Sequence, residues 1–194
     1  MIIGITGGSG SGKTTLLELI GEQGGTVMDC DKIYHRLLET DPALLAAIEE
    51  RFPGTVEQGR LLRKKLGSIV FQDAEALKAL NQITHSAVRQ EVLRLLEAAP
   101  AVAAIDAIGL FESGISGLCD LTVAVIAPTE QRVQRLMERE GVSREYALNR
   151  IAAQPDEEEF ARRCDHILVN DGTKTEFQEK CRKFLKEQGV FLGK

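Results

Sequence analysis

The chain has 194 residues, with 24 Lys+Arg against 29 Asp+Glu and a net charge of −5, a length that suits one domain with insertions and folds without disulfides or a structural metal. The acidic balance argues against nucleic acid or an anionic membrane surface as a partner, where a basic excess supplies the affinity, and leaves room only for a local basic pocket. Cys30, Cys119, Cys164 and Cys181 form no C-x-x-C pair and have no metal-ligand spacing, MIIGITGG lacks a basic leader, and no run of 18 apolar residues follows, so the expected setting is cytoplasmic, with reduced thiols and no spanning helix.

Five apolar runs read as strands: residues 1–5, 26–28, 101–105, 121–127 and 166–169. Their near-continuous Val, Ile and Ala content, without period-2 alternation, is that of parallel strands covered on both faces. Helical patterns alternate with them. One opens at Thr14, and another carries Phe177, Cys181, Phe184 and Leu185 at i, i+4, i+7 and i+8. Such alternation predicts a parallel α/β sheet.

Two stretches stand outside the alternation. Residues 31–98 are too long for a simple crossover. Leu77, Leu80, Ile83, Ala87, Val88, Val92, Leu95 and Leu96 hold a 3.6-residue period there, and Pro53-Gly54 and Gly59 mark loops. Residues 128–163 are crowded with charge and predict two short helices capped by Thr129 and Ser143, with Gly141 ending the first.

Five of the 18 glycines fall in the first 12 residues. Gly7 to Thr14 reads GGSGSGKT, a match to G-x-x-x-x-G-K-[ST] between a strand and a helix. Glycines let successive backbone N–H groups turn toward the phosphates of a nucleotide, and the helix N-terminus adds its dipole. Lys13 supplies a mobile charge, and Thr14 offers a hydroxyl to Mg²⁺. The bare pattern arises by chance in on the order of one chain in a hundred of this length, and the strand and helix around it lower that further. ATP with Mg²⁺ is therefore expected on Gly8, Ser9, Gly10, Ser11, Gly12, Lys13, Thr14 and Thr15. The fold class is a P-loop NTPase fold, a five-stranded parallel sheet flanked by helices.

Ligands of an open α/β sheet bind beyond the carboxyl ends of its strands. After residues 26–28 come Asp29 and Asp31, which point the same way in an extended segment. Asp31 could take the proton of an acceptor hydroxyl, hold Mg²⁺ through water, or cap the next helix. After residues 101–105 comes Asp106, suited to a second acidic contact with Mg²⁺. Glu112 follows, either a solvated loop carboxylate or a substrate contact.

The chain resembles the dephospho-CoA kinases nearly end to end. The resemblance is carried by the phosphate loop, Val27-Met28-Asp29-Cys30-Asp31, Leu62-Arg63, Leu80-Asn81-Gln82-Ile83-Thr84-His85, Asp106 to Glu112, Gln131 to Arg139, and Asn170-Asp171-Gly172. It implies transfer of the γ-phosphoryl group of ATP to the ribose 3′-hydroxyl of dephospho-CoA, the last step of CoA biosynthesis. Carried over residue by residue, it makes Asp31 the base, turns Arg63 and His85 toward the CoA substrate along with Asp106 and Glu112, gives Arg139 to a lid over ATP, and sets Asn170 and Gly172 near the adenine. The divisions it implies are a nucleotide-binding core of residues 1–30, 99–127 and 164–194, an acceptor region of 31–98 and a lid of 128–163. Ile108-Gly109 and Ser86 depart from the family's usual Pro-Leu and Pro, both toward the acceptor side.

Arg132, Arg135 and Arg139 lie at i, i+3 and i+7 on one helix face. The expectation is one functional arginine, Arg139, and two at the surface. Arg60, Arg63, Lys64 and Lys65 form a second basic cluster. His35 and His166 read as structural. The alternatives are another small-molecule or nucleotide kinase, which shares fold and loop, and a nucleotide-driven switch; the absence of N-K-x-D speaks against a GTPase.

Overall fold

The structure, a computed structural model, describes residues 1–99 and 101–190, so Pro100 and the last four residues of the expected core segment 164–194 lie outside the described residues. The chain opens with β1 (Ile2–Thr6), whose last four residues are buried. After the glycine loop come α1 (Lys13–Glu22) and β2 (Thr26–Asp29). A helical stretch then runs through α2 (Cys30–Thr40), α3 (Pro42–Arg51), the short strands β3 (Val56–Glu57) and β4 (Arg60–Leu61), α4 (Arg63–Val70) and α5 (Ala74–Glu97). The chain returns through β5 (Ala103–Asp106), a 3₁₀ turn at Ile115–Leu118 and β6 (Leu121–Ile126). It ends with α6 (Thr129–Glu140), α7 (Arg144–Ala152), α8 (Glu157–Arg163), β7 (His166–Val169) and α9 (Lys174–Glu187).

Among the described residues five strands form one sheet in the order β2-β5-β1-β6-β7. The strand β1 lies between parallel neighbours, with Ile5 level with Asp106 on one side and Val123 on the other. The loop after β1 therefore leaves the sheet at its centre, where the direction of winding reverses, and Asp106 ends the adjoining strand at the same height. All five expected strands are present, with ends shifted by up to two residues.

Two compact units divide the chain. The first comprises Met1–Met28, Ala99–Leu110 and Ser116–Lys194. Its core joins Ile3, Ile5, Val123 and Val125 to Leu16 and Ile20 of α1 and to Phe177, Cys181, Phe184 and Leu185 of α9, the apolar stripe read from the sequence. Each such side chain contributes about 1.5–3 kcal/mol by burial. A capping box starts α9, with Thr173 Oγ1 accepting from Glu176 N and the Glu176 carboxylate accepting from Thr173 N. Residues 128–163 group with this unit and hold three helices instead of two. The missed one, α8, is short and charged; Asp156 caps it and Phe160 is its one buried residue. Ser143 and Gly141 cap as expected, but Thr129 does not. Pro128, extended at ψ 136, is the N-cap residue of α6, so Thr129 is already helical.

The second unit comprises Asp29–Ala98 and Phe111–Ile115. The helices α2, α3 and α4 all pack on α5. The buried face of α5 is Ala76, Leu80, Thr84, Val88 and Val92, while Leu77 stays exposed, so the stripe is narrower than its periodicity predicts. Asp73 caps α5, and Asp41 caps α3 with Pro42 in its first turn. The β3–β4 hairpin, read as loop from the sequence, is two residues per strand, too short to show a period.

No disulfide joins the four cysteines, and burial pushes the Cys119 and Cys164 thiols up to about 11. No helix among the described residues is long and apolar enough to cross a membrane.

Candidate active site

In the loop after β1, Gly12 takes a left-handed conformation at φ 104 and launches α1, a geometry that costs a side-chain-bearing residue far more than glycine. Lys13, the first helical residue, folds back so that its ammonium donates to Gly7 O at 2.8 Å and lies 3.9 Å from Asp106 Oδ1. The structure thus brings Lys13 and Asp106 together. Thr14 is exposed in the first turn of α1.

The helix α6 lies along this loop. Arg132, only 5% exposed, donates through Nε to Ser9 O at 3.0 Å and through Nη2 to Gln154 Oε1 at 3.2 Å. Arg135 donates to Gly10 O at 3.1 Å, to Gln131 Oε1 and to Asn170 Oδ1. The expectation that these two arginines lie at the surface is therefore corrected. Their spacing puts them on the inner face, and burial lowers both guanidinium pKa values, with Glu157 opposing the effect at Arg132. A Cβ at Gly8 would overlap the Arg132 guanidinium, so the second glycine is needed for close approach. Arg139, one turn further on, is more than half exposed and pairs with Glu140.

Asn170, at the end of β7 and 6% exposed, donates to Ser11 O at 2.8 Å. A cleft of about 540 Å³ opens beside it, lined by Gly12, Thr14, Thr15, Gln131, Gly172 and Phe177 among others. Asn170 and Gly172, expected near the adenine, both line this cleft. One residue of this arrangement went unread in the sequence. Gln154 accepts from Ser9 N and donates to Ser9 Oγ, both at 2.8 Å. It lies 145 positions from Ser9, before a proline in a charged segment, and no local pattern marks it.

The second unit holds Asp31, Arg63, His85 and Glu112. Asp29 and Asp31 do not share an extended segment: α2 begins at Cys30, and Asp29, not Asp31, caps it by accepting from Lys32 N at 3.0 Å. Asp31 is exposed in the first turn of α2. His85 and Glu112 line one cavity of about 660 Å³ with Lys78, Asn81 and Arg89. Arg63 opens α4 and meets His35 Nδ1 at 3.4 Å. It also opposes the upward pull of burial on the Tyr34 pKa. His166 stacks edge-on against Phe184 as a structural residue.

The family model for dephospho-CoA kinase matches residues 1–176. The chain belongs to the dephospho-CoA kinase family. A dephospho-CoA kinase of Thermus thermophilus is 40% identical over 190 residues, covering 96% of this chain and 91% of its own. A crystal structure of a Thermus thermophilus protein superposes with a TM-score of 0.83 at 38% identity, over 100% of this chain and 98% of that one. A shikimate kinase of Acinetobacter baumannii superposes with a TM-score of 0.57 at 15% identity, over 98% of this chain and 95% of that one, a likeness of fold alone. Membership in the dephospho-CoA kinase family makes the chain a phosphotransferase of CoA biosynthesis with ATP as donor, on a P-loop kinase fold.

Proposed function

We propose that the chain transfers the γ-phosphoryl group of ATP to the ribose 3′-hydroxyl of dephospho-CoA. The 3′-oxygen bonds to Pγ, the bond from Pγ to the bridging β-phosphate oxygen breaks, and the hydroxyl proton passes to Asp31 and then to water, leaving CoA and ADP. The observation that carries the donor half is the loop of residues 7–14, with the Lys13 ammonium folded over it and a nucleotide-sized cleft alongside.

The roles divide by chemistry. Lys13 neutralises charge developing on the transferred group, and Arg139 adds a second cation from the lid segment 128–163. The loop and helix start at residues 8–15 take the phosphates, with the Ser9 N–H itself engaged by Gln154, and Asn170 and Gly172 border the adenine. Arg63, His85, Asp106 and Glu112 serve the acceptor, and Lys78 and Arg89 beside His85 give its cavity the charge an anionic acceptor requires.

Mg²⁺ fits this donor set. Thr14 offers a hydroxyl and Asp106 a carboxylate, hard oxygen donors of the type the ion takes. Among the described residues no group of three or more His, Cys, Asp or Glu side chains is assembled to hold a metal; Thr14 and Asp106 would hold the ion together with the nucleotide. When bound it supplies charge neutralisation at the β- and γ-oxygens.

An acceptor screen tests the proposal. ADP release should require dephospho-CoA and stay at background with nucleoside monophosphates or shikimate. Equal release with another acceptor transfers the assignment to another small kinase, and release without any acceptor favours a nucleotide-driven switch.

A further inference from the structure

A glycine-rich loop has little stiffness of its own, so its shape has to be held from outside. Ser9 is where that happens. Gln154, in the turn after α7, grips it twice, Oε1 accepting from Ser9 N–H and Nε2 donating to Ser9 Oγ, each at 2.8 Å. Arg132 closes a ring, donating to Ser9 O at 3.0 Å and to Gln154 Oε1 at 3.2 Å. Ser9 is thereby fixed at its amide, its hydroxyl and its carbonyl, and it is 6% exposed.

The end of the loop being held is a particular one. Ser9 lies away from the helix start, and the Lys13 ammonium is folded to that end, on Gly7 O at 2.8 Å. The lysine of such a loop reaches the β- and γ-phosphates, while the helix N-terminus faces the phosphates nearer the nucleoside. Held rigid, the Ser9 end discriminates between nucleotides that have a γ-phosphate and those that do not.

We infer that Gln154 is a positioning residue that sets the γ-phosphate end of the loop through Ser9 and so favours ATP over ADP. It rests on the reading of the chain as an ATP-dependent kinase but is independent of the acceptor.

Calorimetric titration of ATP and of ADP, with Mg²⁺ and without acceptor, tests it on the full chain. Gln154→Leu keeps the bulk of the side chain and removes both grips on Ser9. The ATP Kd should rise about tenfold, the worth of two modest hydrogen bonds, with the ADP Kd moving less than about twofold. In a Ser9→Ala background the Gln154→Leu effect on ATP should shrink, since one of the two bonds is already gone. Equal weakening of ATP and ADP marks a general structural role and overturns the inference; so does unchanged ATP affinity in a variant that keeps its Tm. Should Gln154→Leu melt below the assay temperature, Ser9→Ala alone has to show a smaller loss of the same ATP-selective sign, and equal loss of both nucleotides there overturns it. A wild-type chain that binds ATP yet does not phosphorylate dephospho-CoA counts against the acceptor assignment only.

Discussion

Arg132 and Arg135 donate to the carbonyls of Ser9 and Gly10, whereas Arg139 meets Glu140 at the surface. The three share one helix face in sequence, but only the first two reach the loop carbonyls, while the Arg139 guanidinium is paired with Glu140. The carboxylates divide similarly. Asp29 is engaged as a helix cap, whereas Asp31, in the first turn of α2, is exposed and is the carboxylate proposed above as the base. Asp31→Asn retains the size and polarity of the side chain and removes its basicity. Its kcat should fall by about 10²- to 10³-fold, with the ATP Kd within about twofold of wild type. A coupled ADP-release assay reads the first and calorimetry the second, and near-normal turnover would remove the base role.

Among the elements, the edge strand β7 bears on the cleft beside the loop, because Asn170 of its lining follows the strand directly. Its register on β6 is pinned at the start by Asp165, whose carboxylate accepts from Thr122 N at 2.8 Å and Thr122 Oγ1 at 2.7 Å. These bonds, the hydroxyl one first, hold the Asp165 carboxyl below the ordinary aspartate value. A depressed folded-state pKa means that stability from this group is complete above the unfolded pKa near ~4 and is lost as pH falls through the folded one. Asp165→Ala should cost about 1 kcal/mol at neutral pH, a value reduced from that of a buried charged hydrogen bond because the carboxylate is exposed. Urea titrations should show the gap between variant and wild type closing below about pH 4. A gap constant down to pH 2 would assign the loss to packing.

At the scale of the whole molecule, a soluble ligand bound to the folded chain alone reports on the site without chemistry. ATP with Mg²⁺ at about 100 times Kd should stabilise by about 2.7 kcal/mol, a rise of roughly 5–10 °C in Tm for a chain of this length. Chelation of Mg²⁺ by EDTA should remove more than half of that rise, measured by circular dichroism. An equal rise with EDTA present would take Thr14 and Asp106 out of the metal assignment. The fold, shared in outline with a shikimate kinase at 15% identity, does not select the acceptor; the near-full-length family match does.

The sequence by itself determined whatever depends on short spacing. A strand, GGSGSGKT and a helix are contiguous, the α9 stripe repeats every turn, and continuous apolar runs exclude one-sided strands; each is a local constraint that survives without tertiary information. Only the tertiary structure decided which of several chemically equal residues does the holding. Asp29 caps in place of Asp31 because the chain turns helical at Cys30, two residues before a helix capped by Asp31 would begin. Arg132 is buried and Arg135 half-buried because α6 lies along the loop, and Gln154 reaches Ser9 because α7 brings it back to the loop over 145 positions of sequence. Long-range packing chose among these residues, since side chains of the same type differ in function only through the neighbours the fold gives them.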